Sequence, residues 1–109
     1  MEDVCGIAVE PGKSSRFLEL TVDNLFADVW GNEVLSIRDR RLLVIGILSA
    51  LGDAGNLAVH MGQALSRGDL SPEEIEEIPV QVAHYAGWPR ATAALGEAAK
   101  AVAAHKKKQ

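Results

Sequence analysis

The sequence predicts an all-α protein of about five helices. Apolar residues recur at the spacing of an amphipathic helix along most of the chain, and no segment alternates apolar and polar residues as a half-buried strand does. Serines stand where these apolar runs begin and glycines where they end, as is usual at helix caps. A chain of 109 residues has the length of one domain with a modest core, which favours oligomerisation.

The first helix is predicted from about residue 14 to Trp30. Residues 1–13 contain Pro11 and two glycines without a sustained period, so we expect an N-terminal arm followed by one domain over residues 14–109. Ser14 or Ser15 can serve as the N-cap of this helix, and glycine follows Trp30. Its apolar positions are Phe17, Leu18, Leu20, Leu25, Phe26 and Val29.

The second helix is predicted to begin after Ser36 and to end at Gly52. Asp39, three residues after the serine, resembles the acid of a capping box. From Arg41 to Leu51 the helix is apolar on nearly every side, and a helix of this kind is expected to be buried on all sides. In so short a chain, complete burial is easiest if a neighbouring subunit covers part of the helix.

The third and fourth helices are predicted at about residues 54–67 and from Ser71 onward. Gly68 is the natural residue after the third helix, whose apolar face carries Leu57, Met61, Ala64 and Leu65. Ser71-Pro72-Glu73-Glu74 places serine at the N-cap, proline at the first position and glutamate at the third. We expect Pro79 to kink the fourth helix. Its buried side is predicted at Ile75, Ile78, Val82 and either Tyr85 or Ala86.

The last helix is predicted from Pro89 to about Ala104. Proline is favoured at the first turn of a helix, where its missing N–H costs nothing. The segment is rich in small residues that permit close helix–helix approach, at Ala91, Ala94, Ala98 and Ala101.

Composition and charge argue against several classes of protein. The net charge is −4 and the one basic run, Lys106 to Lys108, is at the C-terminus, so no duplex nucleic-acid binder is expected. The longest apolar stretch, Leu42 to Leu51, is about half the length of a membrane span. Cys5 is the one cysteine, and the N-terminus lacks the apolar region of a secretory signal. We therefore expect a cytoplasmic protein without a membrane partner.

Arg41, His60 and Asn56 are the first candidates for chemistry. Asn56 precedes His60 by four residues on one helix, so the two share a face. A short turn folds the preceding helix back antiparallel, which can bring Arg41 level with His60. The alternative is that Arg41 pairs with Asp39 or with a carboxylate at a subunit boundary, while His60 is a hydrogen-bonded interior residue.

Tyr85, Trp88 and Trp30 are candidates for the walls of a small pocket. Each has an apolar body and a polar tip, although such residues are also ordinary core fillers. His60 and His84 are too widely spaced, without a cysteine or acid in register, to form a metal site. No metal ion is therefore expected.

These residues together resemble the carboxymuconolactone decarboxylase family. The resemblance covers Ser36 to Ala104, and less closely Phe17 to Leu35. Its most specific part is the run Tyr85-Ala86-Gly87-Trp88-Pro89-Arg90-Ala91 after a Ser71-Pro72-Glu73-Glu74-Ile75 helix start. Asp28-Val29-Trp30, Leu35-Ser36, Arg41-Leu42, His60, Ala64-Leu65 and Gly68 also fit the pattern.

The superfamily of this resemblance includes alkylhydroperoxidase-D-like proteins, which use a glutamate, a CxxC pair and a histidine. His60 matches the histidine, but Asp53 and Asn56 stand at the two cysteines and Arg41 at the glutamate. A thiol peroxidase requires a thiolate, so peroxidase activity is not expected.

The decarboxylase branch resembles this chain in its arginine at Arg41 and histidine at His60. That branch usually has a glutamate where Asn56 stands, and it often has an arginine soon after the tryptophan, where this chain has Gly31-Asn32. Both departures remove charged groups from the pocket that the resemblance implies.

The resemblance implies an alkylhydroperoxidase-D-like helical fold with an antiparallel hairpin at its core, assembled as a homohexamer (a trimer of dimers). It implies a lyase or isomerase for a small carboxylated or lactone-type substrate, without a cofactor. Arg41 would bind a carboxylate or oxyanion and His60 would transfer the proton. Asn56 would orient His60 or bind a lactone carbonyl, with Tyr85, Trp88 and Trp30 as walls. The alternative is a binding protein, or a recruited enzyme, that keeps the helical oligomer.

Overall fold

The computed structural model describes Val4 and residues 15–108, and within that part of the chain five helices and no strand are present. The first helix, α1 (Arg16–Leu20), runs directly into a π-helical segment, Thr21–Trp30. The others are α2 (Ile37–Leu51), α3 (Ala54–Ser66), α4 (Pro72–Ala86) and α5 (Trp88–Lys107). The all-α prediction is confirmed. Cys5 and the rest of the predicted arm except Val4 lie outside the described residues, and the division into arm and domain stays a prediction.

Three of the predicted helix starts are confirmed by their hydrogen bonds. The side-chain oxygen of Ser15 accepts from the N–H of Leu18, and that of Ser36 accepts from the N–H of Asp39. Ser71 and Glu74 form a reciprocal capping box in which each side chain accepts from the backbone N–H of the other. Each cap satisfies N–H groups that the first turn of a helix leaves without a partner.

We expect Ser71→Ala to lower the free energy of unfolding by about 0.5–2 kcal/mol, because the N–H of Glu74 then loses its acceptor. Urea denaturation followed by circular dichroism measures this change. Ser66→Ala, at the exposed end of α3, is the matched control and should leave stability within about 0.5 kcal/mol. Equal effects of the two substitutions would contradict a stabilising role for the capping box.

The hydrophobic core lies among α3, α4 and α5. The last helix packs along both α3 and α4, and its alanines at 91, 94 and 98 are buried as the small-residue pattern predicted. Ile75 and Met61 are fully buried and face the same core, together with Ile45 of α2. Small side chains on α5 let its neighbours approach closely, which builds a continuous core from short helices.

The turn between α2 and α3 consists of Gly52 and Asp53. Gly52 has a φ of +76°, in the left-handed region where glycine is least strained. The N–H of Asp53 donates to the carbonyl of Leu48, and the side chain of Asp53 accepts from the N–H of Asn56. One residue thus closes α2 and caps α3, and the two helices form the predicted hairpin.

In the single chain α2 is buried on one face only, and its complete burial by a neighbouring subunit stays a prediction. Arg41, Ile45 and Ser49 are buried along one face of the helix. The opposite side leaves large apolar side chains exposed, at Leu42, Leu43, Ile47 and Leu51. The sequence showed an apolar surface all round, but the described chain has enough neighbouring helices to cover only part of it.

Three further details differ from the sequence predictions. The second half of the first helix has π-helical hydrogen bonding, which its apolar spacing did not indicate. The last helix begins at Trp88 rather than Pro89 and extends beyond Ala104 to Lys107. Tyr85 lies outside the buried face of α4, with 86% of its surface exposed. The α4 helix continues through Pro79, and the kink expected there stays a prediction.

A helix that crosses a bilayer must be both long and apolar. None of the described helices combines the length and the apolar character that a membrane crossing requires.

Candidate functional site

The centre of the candidate site is Arg41, which is completely buried on α2. Its Nη1 donates to the carbonyl oxygen of Val4 at 2.7 Å and lies 2.8 Å from Nδ1 of His60 on α3. Its Nε lies 3.4 Å from Oδ2 of Asp69, in the connection between α3 and α4. The antiparallel hairpin therefore confirms the predicted approach of Arg41 to His60. The catalytic roles of these two residues stay predictions.

The bond between Arg41 and His60 determines the protonation of the imidazole. An arginine side chain has only donors and keeps its charge in proteins, so Nδ1 of His60 must be the acceptor. His60 is then neutral and carries its proton on Nε2. Burial, and secondarily the adjacent guanidinium of Arg41, lower the pKa of His60 from its ordinary value, which agrees with a neutral ring.

Trp30 forms an aromatic platform for both groups. Its ring stacks on the imidazole of His60 with a centroid distance of 5.9 Å and an interplanar angle of 16°. The guanidinium carbon of Arg41 lies 5.4 Å from the centre of the Trp30 ring, within the range of a cation–π contact. Trp30 is itself buried at the end of the π-helical segment. It therefore supports Arg41 and His60 from within the protein.

Asn56 is not directed at His60 as the sequence reasoning expected. Its side-chain amide donates to Oδ2 of Asp53 at 2.8 Å, and the residue is exposed in the first turn of α3. Asparagine and aspartate readily form such local bonds at helix starts. The pairing strengthens the cap of α3, and an interaction of Asn56 with a substrate stays a prediction.

Tyr85 and Trp88 lie apart from the Arg41–His60 pair in the described chain. Trp88 is 63% exposed, and its ring contacts His84 edge to face at 5.3 Å. Tyr85 is also exposed, at the end of α4. The structure brings Trp30 to the pair but not Tyr85 or Trp88, so their role as pocket walls stays a prediction.

Asp69 and the carbonyl of Val4 are contacts that the sequence reasoning missed. Asp39, one of the partners considered for Arg41, instead lies 3.6 Å from Nη1 of Arg38. A buried arginine requires an anionic partner, so the sequence indicated that Arg41 has one, but it did not identify Asp69 as that partner. Asp69 follows Arg41 by 28 residues, beyond the reach of helix periodicity.

A groove opens between α2 and α4, and Arg41, His60 and Trp30 are not among the residues that line it. It has a volume of about 340 Å³ and a mainly apolar floor that includes Leu42, Leu70, Ile78 and Val82. At its edge Arg38 pairs with Glu74. Within the described residues, no cluster of three or more histidine, cysteine or acidic side chains is placed to hold a metal ion.

We expect the stability of the folded protein to fall as the pH is lowered from about 6.5 towards the depressed pKa of His60. In this window the unfolded chain binds a proton at residue 60 and the folded chain does not, so protonation favours unfolding. Above it both states are neutral and the contribution is constant. Urea denaturation at pH 7.5 and 5.5 measures the effect.

His60→Asn should remove part of this pH dependence, because asparagine offers an acceptor near the position of Nδ1 but does not titrate. His84→Asn, at an exposed position of α4, should retain the wild-type slope. The same slope in His60→Asn and in the wild-type protein would show that His60 is not held neutral by the fold.

Fold and site together define a class of small all-α proteins. In this class two antiparallel helices bury an arginine beside a histidine, and a tryptophan ring packs against both side chains. The chain belongs to the carboxymuconolactone decarboxylase family, whose model matches residues 15–100. It is also 30% identical over 70 residues to the 4-carboxymuconolactone decarboxylase of Acinetobacter baylyi. That match covers 64% of this chain and 52% of the relative, so the chain spans about half the length of this protein. No solved structure matches the chain.

Proposed function

We propose that this protein is a carboxymuconolactone decarboxylase-like lyase or isomerase that acts without a cofactor on a small carboxylated or lactone-type substrate. The observation that carries the proposal is the 2.8 Å contact between the buried Arg41 and His60. An invariably charged donor and a histidine without a proton on Nδ1 form a pair suited to binding and polarising an anionic substrate. Membership of the family, and the similarity to a 4-carboxymuconolactone decarboxylase, support this choice of chemistry.

Substrate binding would begin at Arg41. Both protons of its Nη1 are engaged in the described structure, one by the carbonyl of Val4 and the other by His60. A substrate carboxylate would take the place of the Val4 carbonyl, since an anion is a stronger acceptor than a neutral amide oxygen. Because the guanidinium is fully buried, water would screen this interaction less than at the surface.

Decarboxylation would then break the bond between the carboxylate carbon and the ring, with loss of CO2. The electron pair passes into the conjugated lactone as an enolate, which is afterwards protonated on carbon. The N–H of Nε2 of His60 would donate a hydrogen bond to the enolate oxygen. Delivery of that proton to carbon leaves an imidazolate unless Nδ1 takes up a proton from water, so Arg41 must first release Nδ1.

The test combines ligand binding with product analysis. A carboxylated lactone present at about 100 times its Kd should raise the free energy of unfolding by about 2.7 kcal/mol in a thermal-shift experiment. The same lactone without its carboxylate is the control ligand and should give a much smaller shift. Release of CO2 from the carboxylated lactone then measures turnover. The absence of both a thermal shift and CO2 release would contradict the proposal.

His60→Asn separates binding from turnover. The variant retains Arg41, so the ligand-dependent shift should persist while CO2 release falls by about 100-fold or more, as expected for loss of a general acid. His105→Asn, near the end of α5, is the matched control and should retain wild-type turnover. Undiminished CO2 release in His60→Asn would remove His60 from the mechanism.

A second candidate function is a non-catalytic or recruited binding protein built on the same fold. The engagement of Asn56 by Asp53 favours it, because this side chain does not supply a polar group beside His60. This alternative predicts a thermal shift with carboxylated lactones without CO2 release from any of them.

We propose that the protein forms a homohexamer in which the exposed face of α2 is covered by a neighbouring subunit. The apolar side chains at Leu43, Ile47 and Leu51 are each at least half exposed, and adjacent surface of this kind is typical of subunit interfaces. Leu43→Glu should shift sedimentation towards smaller species, whereas Ala103→Glu on α5 should not. A wild-type monomer at micromolar concentration would contradict this arrangement.

A further inference from the structure

Asp69 lies in a short connection whose backbone is fixed on both sides. Gly68 before it adopts a φ of +76°, and Leu70 after it is buried with its N–H donating to the carbonyl of Ala64 at 3.2 Å. The next residue, Ser71, forms the capping box of α4. A side chain between two such anchors has little freedom of position, because the backbone that carries it cannot move without breaking them.

The carboxylate of Asp69 faces the guanidinium of Arg41. Its Oδ2 lies 3.4 Å from Nε, and the Asp69 side chain is only 15% exposed while that of Arg41 is fully buried. Desolvation of a guanidinium is costly unless a partner compensates the charge, so this carboxylate is suited to stabilise Arg41 in place. The proposed chemistry of Arg41 and His60 makes no use of Asp69.

Because the guanidinium of Arg41 is rigid and planar, a contact at Nε also limits where Nη1 can lie. Nε and Nη1 belong to one rigid group, so an anchor at Nε limits rotation of the plane and fixes the direction of the Nη1–H bonds. One of those bonds points to Nδ1 of His60 at 2.8 Å. The Nε2–H form of the imidazole is favoured as long as this donor is directed at Nδ1.

We propose that Asp69 is a positioning residue that orients Arg41 through Nε and thereby holds His60 in its Nε2–H tautomer. The catalytic consequence rests on the proposed function, since only in that mechanism does Nε2–H face a developing oxyanion. The tautomer itself is a property of the ligand-free protein and is independent of any substrate.

The experiment is long-range 1H–15N NMR of the imidazole nitrogens in ligand-free protein at pH 7.5. The wild-type His60 should show a protonated Nε2 and an unprotonated Nδ1. In Asp69→Asn the bond at Nε is no longer charge-assisted and the Arg41 plane is held less firmly, so the ratio of Nε2–H to Nδ1–H tautomer should fall by about tenfold. Asp39→Asn, at an exposed acid that contacts Arg38, is the matched control and should keep the wild-type ratio.

Asp69→Glu provides the second variant if Asp69→Asn does not fold. It keeps the charge but moves the carboxylate by one methylene, so a smaller fall in the same ratio is expected. An unchanged ratio in the folded variants would overturn the positioning role, as would a wild-type His60 with its proton on Nδ1. A purely structural Asp69 would lower stability without altering the tautomer of the folded protein.

The two proposals fail in distinguishable ways. If Asp69→Asn alters the tautomer but the wild-type protein releases no CO2 from carboxylated lactones, the positioning role stands and the lyase proposal falls. If CO2 release is present and the tautomer is the same with and without the Asp69 carboxylate, the positioning role alone falls.

Discussion

Arg41→Ala is expected to lower the free energy of unfolding by about 3–5 kcal/mol, the cost of breaking a buried ion pair by removing one partner. Truncation leaves the partly buried carboxylate of Asp69 facing a cavity and removes the donor for Nδ1 of His60 and for the carbonyl of Val4. Urea denaturation at pH 7 measures the change. The carboxylate-dependent thermal shift should be lost in the same variant, because the proposed anion-binding group is absent.

Arg38→Ala is the control for this prediction. Arg38 lies three residues earlier on α2 and pairs with Glu74, but both side chains are more than 40% exposed. Exposed pairs of this kind contribute about 0–1 kcal/mol. If Arg41→Ala costs no more than Arg38→Ala, Arg41 is not held by a stabilising buried network.

The double variant Arg41→Met/Asp69→Asn tests how much of the loss comes from the Asp69 charge that is left uncompensated when Arg41 is removed. Replacing a buried ion pair by groups that carry no charge is often nearly neutral, whereas removing one partner is strongly destabilising. The double variant should therefore be more stable than Arg41→Met alone. If the stability lost in the double variant equals the sum of the losses in Arg41→Met and Asp69→Asn, the two residues do not interact energetically.

The second large effect is expected for Ile75→Ala, at about 2–5 kcal/mol. Ile75 is fully buried in the first turn of α4 and faces the core formed with α3 and α5. Removal of three carbon atoms leaves a cavity that a close-packed helical core can only partly close. The midpoint of urea denaturation should fall without a change in the slope of the transition.

Val80→Ala is the matched substitution on the same helix. Half of the Val80 surface is exposed, so its truncation removes little buried area and should change stability by no more than about 0.5 kcal/mol. Similar losses at the two positions would contradict the assignment of the core to the Ile75 side of α4.

The fold was predictable wherever a local signal governs the chain. Caps at Ser36 and Ser71 and the turn at Gly52 depend on residues within one helical turn, and these boundaries agree with the structure. The π-helical hydrogen bonds of Thr21–Trp30 were not predicted, because π-helices are rare and the apolar residues of this segment roughly fit ordinary helical spacing. Burial of α2 depends on which helices surround it, which periodicity does not encode.

Within the candidate site, the meeting of Arg41 and His60 followed from the hairpin. A short antiparallel turn brings residues at similar distances from it level with each other. Asp69 and Val4 reach Arg41 from distant parts of the chain, and no spacing rule joins them. The bond of Asn56 to Asp53 was not predicted, because helical spacing gives the face that Asn56 shares with His60 but not a competing local bond.

Asp53 both closes α2 and caps α3. The loop between these helices should therefore tolerate insertions less well than most surface loops do. Extra residues in a flexible connection ordinarily cost little, because the closure entropy grows slowly with loop length. Here the N–H of Asp53 is bonded to Leu48 and its carboxylate to Asn56. A residue inserted before Asp53 must break the bond to Leu48 or produce a displacement and rotation of α3 relative to α2. Such a rotation would carry His60 away from Arg41, so we expect natural and engineered variants with a working Arg41–His60 pair to keep the length of this turn.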